Sequence, residues 1–344
     1  MTPVPTRLSI RDVVVEPNLA LAPMEGVTDL TFRRLVRQIG GCGITYTEFI
    51  PASGLAQHIR RALDMVTFDP DERPFGIQIY GRDAGVLSEA ARIAQDLGAD
   101  VVDLNMGCPS KKVCRNSGGS ALMREPALAR ELVRAMRAAL TVPFTVKMRA
   151  GWDHESRNAP EIAVMCEDEG VEAVTVHWRT RMDLYKGERE LDTIAQVVDA
   201  VDIPVFANGD VIDAASALDT LRRTGCQGLM IGRGAIRNPW VFQEIRAALH
   251  GLPIPAVTPE ERKRVLLGYL DAIHARFEAD KPTLGRFKKI SRYFTGGVQD
   301  GDVLRQAIFH SQTIDEAVSR VHAHFDRLAG QEEPTHRTKT AATG

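Results

Sequence analysis

Residues Val101–Lys112 read VVDLNMGCPSKK, an apolar run that stops at a Gly-Cys-Pro turn and passes directly into two lysines. A short run rich in Val, Leu and Met, bounded by turn residues, has the length and composition of a strand buried on both faces. The same unit recurs along the chain: LALAPM from Leu19, ITYTEF from Ile44, FGIQIY from Phe75, FTVKMR from Phe144, AVTVHW from Ala173, PVFANG from Pro204 and GLMIGR from Gly228. Each run is followed by a longer segment with helical periodicity, such as DAGVLSEAARIAQDLGA or PALARELVRAMRAAL, the latter stopped soon after by Thr-Val-Pro. Strands alternating with helices imply a parallel sheet with right-handed crossovers, and eight units in this length imply a TIM barrel. An open doubly wound sheet is the competing architecture. It usually has fewer strands and a G-x-G-x-x-G turn after the first, whereas the first run here ends in Ala-Pro-Met-Glu-Gly.

After IRAALHGLPIPAVTPEE the pattern changes: Pro253, Pro255 and Pro259 mark a linker, and three helical stretches follow, from Glu260, Leu284 and Ile314. We therefore expect a barrel over residues 1–250, a small all-helical domain over 257–330 and a polar, disordered tail over 331–344. Of the 344 residues, 44% are hydrophobic and 26% charged, as in an ordinary soluble protein. The formal net charge of -2 carries no nucleic-acid signature, so such a partner must be sought in local patches. Neither a signal peptide nor an apolar run of membrane-spanning length is expected. The five cysteines form no Cys-x-x-Cys pair, which argues against a metal site and a disulfide framework and fits a reducing cytoplasm.

In a TIM barrel the active site lies at the C-terminal ends of the strands. There the third run carries Gln78, the fourth ends in Asn105, the fifth carries Lys147 and Arg149, and the sixth, seventh and eighth end at His177, Asn208 and Gly232-Arg233. Cys108 follows the fourth. A single Gln or Asn is often only a satisfied core polar group, but an ammonium inside a barrel strand costs several kcal/mol unless it has a partner or a task. The loops after strands seven and eight often hold a phosphate, and ANGD and MIGRG supply glycines that admit an anion to backbone N–H groups, with Arg233 beside them. With Lys147 and Gln78 deeper inside, a flavin mononucleotide (FMN) fits, Lys147 facing the N1/O2 edge of the ring and Ala22–Met24 lying beneath it.

The segments APMEGVTD, IQIYG, DLNMGCPSKKV, GGSALM, VKMRAGWD, VHWRT, ANGD and IGRGAIRNPW, in this order from about Asn18 to Trp240, resemble the bacterial tRNA-dihydrouridine synthases, most closely the B-type members. The resemblance implies FMN contacts from Ala22, Pro23, Met24, Gln78, Lys147, His177, Asn208, Gly209, Asp210, Gly232 and Arg233. It makes Cys108 the catalytic cysteine and places Asn105 and Arg149 beside the target uridine. It further implies NADPH as electron donor and a monomer acting on tRNA. Trp178 departs from that pattern, standing where a small residue is usual, and Cys114 is expected to be non-catalytic.

Reducing the carbon 5–carbon 6 bond of uracil takes a hydride, expected from reduced FMN to carbon 6, and a proton at carbon 5. A thiol, largely protonated at neutral pH, suits the second task, so Cys108 is read as the proton donor. A uracil inside folded RNA must be extruded to be reached. Lys111 and Lys112 are expected to face RNA phosphates, as are Arg286, Lys288, Lys289 and Arg292, which cluster with Phe287, Tyr293 and Phe294. Two other readings stay open: a small-molecule FMN barrel such as a dihydroorotate dehydrogenase, and an RNA-binding protein with inactive chemistry on the same scaffold.

Overall fold

The computed structural model describes residues 6–115 and 118–331. The chain opens with an antiparallel hairpin, β1 (Leu8–Ile10) and β2 (Val13–Val15), that the apolar pattern does not announce. Its turn sits at Arg11, with φ 52°, without the Asn-Gly signal such turns usually show. Then follow β3 (Leu19–Leu21), β4 (Ile44–Tyr46), the short β5 (Ile50–Pro51), β6 (Phe75–Tyr80), β7 (Val101–Met106), β8 (Phe144–Arg149), β9 (Ala173–His177), β10 (Val205–Asn208) and β11 (Gly228–Ile231). Every strand expected from an apolar run is present. They pair in parallel in chain order, and β11 closes on β3 with Met230 opposite Ala20, giving an eight-stranded TIM barrel. β5 merely extends the β4 side, pairing Ile50 with Ile79 of β6.

Pleating turns alternate residues inward, and the inward set changes character along the barrel axis. At the N-terminal end Val101, Ala173, Phe206 and Met230 join Leu8, Ile10 and Val15 of the hairpin in one apolar cluster. The hairpin thus plugs that end. Further along the same inward faces come Asp103 and Asn105, Thr145 and Lys147, Thr175 and His177, all chemistry-bearing and at the other end.

The described residues divide into two compact units, one reaching residue 235 and resuming at 239–255, the other comprising 236–238 and the chain from 256. The second is helical: Pro259–Phe277, Asp280–Phe294, Gly301–His310 and Ile314–Gln331. Two of these depart from expectation. Asp280–Phe294 starts earlier than the apolar pattern suggested, because Pro282 in a first turn needs no amide partner. Gly301–His310 is an addition to the expected helices, since it begins at Asp300 with φ 52° and no side-chain cap. Residues 332–344 of the expected tail lie outside the described residues. No described helix is long and apolar enough to cross a membrane.

Candidate active site

Cys108 sits two residues beyond the tip of β7, and its turn is held from several sides. Asn105 Oδ1 accepts the main-chain N–H groups of Gly107 (3.0 Å) and Cys108 (2.9 Å). Arg149 Nε donates to the Gly107 carbonyl (2.9 Å), and Ser120 N donates to that of Cys108 (3.1 Å). Gly119 lies so close that a Cβ there would stand 2.8 Å from the Cys108 oxygen, and its φ of 59° also favours glycine. Burial raises the Cys108 thiol above its ordinary value, with Cys114 and Glu25 adding to the effect. The proton therefore stays on sulfur at neutral pH, as a donor requires. Cys114 Sγ contacts the Cys108 carbonyl at 3.4 Å.

Asn105 and Arg149, expected beside the substrate, are both buried and both engaged in positioning this turn. Arg149 also donates through Nη1 to the carbonyls of Thr180 (2.7 Å) and Leu184 (2.9 Å). Gln78 is fully buried, its Nε2 donating to Asp103 and its Oε1 accepting from Asn105, each at 2.7 Å.

Lys147 is paired in register with Asn105 on one side and Thr175 on the other. Its Nζ donates to Asn208 Oδ1 (3.0 Å), and Asn208 Nδ2 donates in turn to the Met230 carbonyl (2.6 Å). Burial, reinforced by the Arg149 charge, lowers the ammonium to about 8. His177 accepts the Arg179 N–H at Nδ1 (3.0 Å), so a neutral ring carries its proton on Nε2. Burial and the surrounding Arg149 and Lys147 hold it well below the usual imidazole range, hence neutral. The barrel mouth thus presents a tuned ammonium and an imidazole N–H donor beside a protonated thiol.

The loops after β10 and β11 form a tight cradle. Gly209 has φ 112°, and a Cβ there would fall 2.6 Å from Trp178 Cδ1. A Cβ at Gly234 would fall 2.3 Å from the Val211 carbonyl. Asp210 accepts from Arg179 Nη2 and Arg233 Nη2, both at 2.7 Å. Trp178 Nε1 and Arg179 Nη1 are buried and meet no hydrogen-bond acceptor among the described residues. On the other side, Gly232 abuts Met24 and Ala22, so the cradle is continuous with the segment after β3. Trp178, which stands where the resembled family usually has a small residue, fills the space over Gly209 and stacks on Arg179 at 3.9 Å.

Lys111 and Lys112 are exposed on the short helix Lys111–Arg115 that follows the Cys108 turn. In the helical unit Arg286, Lys289 and Arg292 are exposed at three-residue spacing, while Lys288 is half-buried with Nζ 5.9 Å from the Phe309 ring. Phe287 and Phe294 belong to the core and do not interleave with these cations at the surface. A cleft of about 500 Å³ within this unit is lined by Arg237, Arg262, Arg292, Tyr293 and the Gly296–Gly297 pair. Sequence reading misses Arg237 and Arg262, since they are far apart in the chain and converge only on folding.

The dihydrouridine synthase family model matches residues 20–329. The tRNA-dihydrouridine synthase B of Pseudomonas syringae pv. tomato is 44% identical over 76% of this chain and 77% of its own length. That of Vibrio cholerae is 36% identical over 94% of this chain and 100% of its own, and a probable tRNA-dihydrouridine synthase of Rickettsia bellii is 40% identical over 77% and 82%. With a family model that covers both units and relatives 36–44% identical over most of its length, the chain belongs to the dihydrouridine synthase family.

Proposed function

We propose that the protein is an FMN-dependent tRNA-dihydrouridine synthase that reduces D-loop uridines with electrons from NADPH. The observation that carries the reading is the Cys108 turn: a protonated, buried thiol clamped at a strand tip by Asn105, Arg149 and Ser120. The relatives' names supply the tRNA substrate.

The residues present fit FMN. The glycine-rich loops after β10 and β11, with the exposed Arg233 at their rim, suit a phosphate. Lys147, His177 and Asn208 suit the polar edge of the ring, and Ala22–Met24 its underside. Gln78, fully buried, would reach it only as part of the wall. Bound flavin supplies a hydride for carbon 6 of the uracil.

The chain's own residues do the rest. Cys108 holds the proton for carbon 5 on its sulfur, and the low exposure of the thiol keeps it from ionising. Asn105 and Arg149 hold the thiol's turn. Lys147 would balance negative charge on the bound ring, and neutral His177 would offer Nε2–H to a carbonyl oxygen. Lys111 and Lys112 beside the mouth, and Arg286, Lys288, Lys289 and Arg292 of the helical domain, bind tRNA phosphates, joined there by Arg237 and Arg262 of the cleft.

The test uses tRNA lacking dihydrouridine, purified protein, FMN and NADPH, with mass mapping of the digested RNA. A gain of two hydrogens on a D-loop uridine is expected. A yellow protein that oxidises NADPH and leaves tRNA unchanged would instead point to a small-molecule flavin reductase.

A further inference from the structure

Below Asn105 on the inward face of β7 lies Asp103, a buried carboxylate with no part in the chemistry described. Its two oxygens accept from Thr145 Oγ1 (2.6 Å) and Gln78 Nε2 (2.7 Å). Gln78 passes the bond on, accepting at Oε1 from Asn105 Nδ2 (2.7 Å), and Asn105 Oδ1 accepts the Gly107 and Cys108 N–H groups (3.0 and 2.9 Å). One donor-to-acceptor line therefore runs from the cysteine turn to the carboxylate.

Its direction is determined at both ends. Main-chain N–H groups only donate, and an ionised carboxylate only accepts. A flip of either intervening amide would set donor against donor at one junction and acceptor against acceptor at another. We propose that Asp103 is a positioning residue: acting through Gln78 and Asn105, it fixes the Gly107–Cys108 peptide and with it the place of the thiol. The inference rests on the reading of Cys108 as proton donor. The other clamps on the turn, Arg149 and Ser120, hold carbonyl oxygens, so the relay is what holds the amide side.

What Asp103 contributes is hydrogen-bonding capacity rather than charge. Burial raises its carboxyl to about 7, against the pull of Thr145, Gln78 and Lys147. A neutral carboxyl still serves, because the Thr145 hydroxyl can turn to accept while the other oxygen keeps accepting from Gln78. Asparagine reproduces that pattern, its Oδ1 facing Gln78 and its Nδ2 donating to Thr145. Leucine has neither group and leaves Gln78 Nε2 buried without a partner.

The experiment compares the full-length flavin-loaded wild type with Asp103→Asn and Asp103→Leu by tRNA kinetics, flavin content and amide hydrogen exchange across residues 106–110. The Gly107 and Cys108 amides should exchange slowly in the wild type and in Asp103→Asn, which keeps kcat within about threefold, whereas Asp103→Leu should expose both amides and lose about 10- to 100-fold in kcat with KM for tRNA and flavin content unchanged. An Asp103→Asn variant as impaired as Asp103→Leu would overturn the proposal in favour of a charge role. So would Asp103→Leu with wild-type turnover. Fast exchange at these two amides in the wild type would overturn it without any variant, should Asp103→Leu not fold. Hydrogen exchange needs no tRNA, so absence of tRNA reduction by the wild type would refute the proposed reaction while leaving the relay to be judged separately.

Discussion

Arg33 is wholly buried and so is its partner Glu72, with Nε 2.7 Å from Oε2. The guanidinium also donates to the carbonyls of Thr28 (3.0 Å) and Thr67 (2.7 Å) and stands 4.9 Å from the Phe75 ring centre. Thr28 in turn accepts the Met24 N–H through Oγ1 at 2.9 Å, so the pair anchors the segment read as the flavin's floor. Arg33→Met would leave a buried carboxylate that keeps only the Asp69 N–H (2.9 Å). Removing one partner of such a pair costs about 3–5 kcal/mol, whereas replacing both by apolar groups of similar volume is often near neutral. At roughly 2–4 °C per kcal/mol for a unit of this size, the single variant should melt about 10 °C lower. Arg33→Met/Glu72→Leu should recover more than half of that loss. Both are read by thermal melts of the flavin-loaded protein, with flavin release on gel filtration as the functional readout. A single variant within about 1 kcal/mol of wild type, or a double variant worse than the single, would refute the assignment of a stabilising buried pair to this loop.

Cys108→Ala should keep the flavin spectrum and lose about 10²- to 10⁴-fold in turnover, as removal of a positioned acid does; loss of flavin would mean that its role was misread. Because the folded protein raises the Cys108 thiol above its ordinary value, turnover should hold across neutral pH and fall as the thiol ionises at higher pH, and alkylation of Cys108 should be slow at neutral pH; a profile falling on the acid side of neutrality would contradict a thiol donor. Lys147, lowered to about 8, carries its charge below that pH and loses it above, so FMN affinity should decline as pH rises through about 8. Lys147→Met should bind FMN more weakly with that pH dependence gone, checked by fluorescence titration. Charge reversal at Arg262 and Arg292 should weaken tRNA binding and make the log–log slope of affinity against salt shallower by about one for each phosphate no longer neutralised; unchanged affinity would put the RNA surface elsewhere.

The strands were legible because a parallel barrel buries both faces of each, so every one reads as an unbroken apolar run closed by turn residues. The candidate site residues stand out for the complementary reason: Lys147, Asn105 and His177 interrupt those runs where burial makes a polar group expensive. The β1–β2 hairpin has no clear sequence signal, because its strands are three residues each and Arg11 adopts a positive φ without glycine or asparagine. Phe287 and Phe294 are buried rather than interleaved with the cations, because residues adjacent in sequence point to different faces of one helix.

Sequence by itself determined which groups stand at the barrel mouth, since strand order and pleat dictate which ends and which faces come together. Only the tertiary structure decided what those groups do to one another. Asn105 and Arg149 look alike in sequence as candidates to touch a base, and folding adds a second task, since both also hold the Cys108 turn. Asp103 interrupts its apolar run just as Asn105 does, but the sequence does not show which groups it partners. Those depend on Thr145 and Gln78, residues 42 and 25 positions away that meet it only across the closed sheet. Hydrogen-bond direction is a property of atoms brought within about 3 Å, and only folding brings them there.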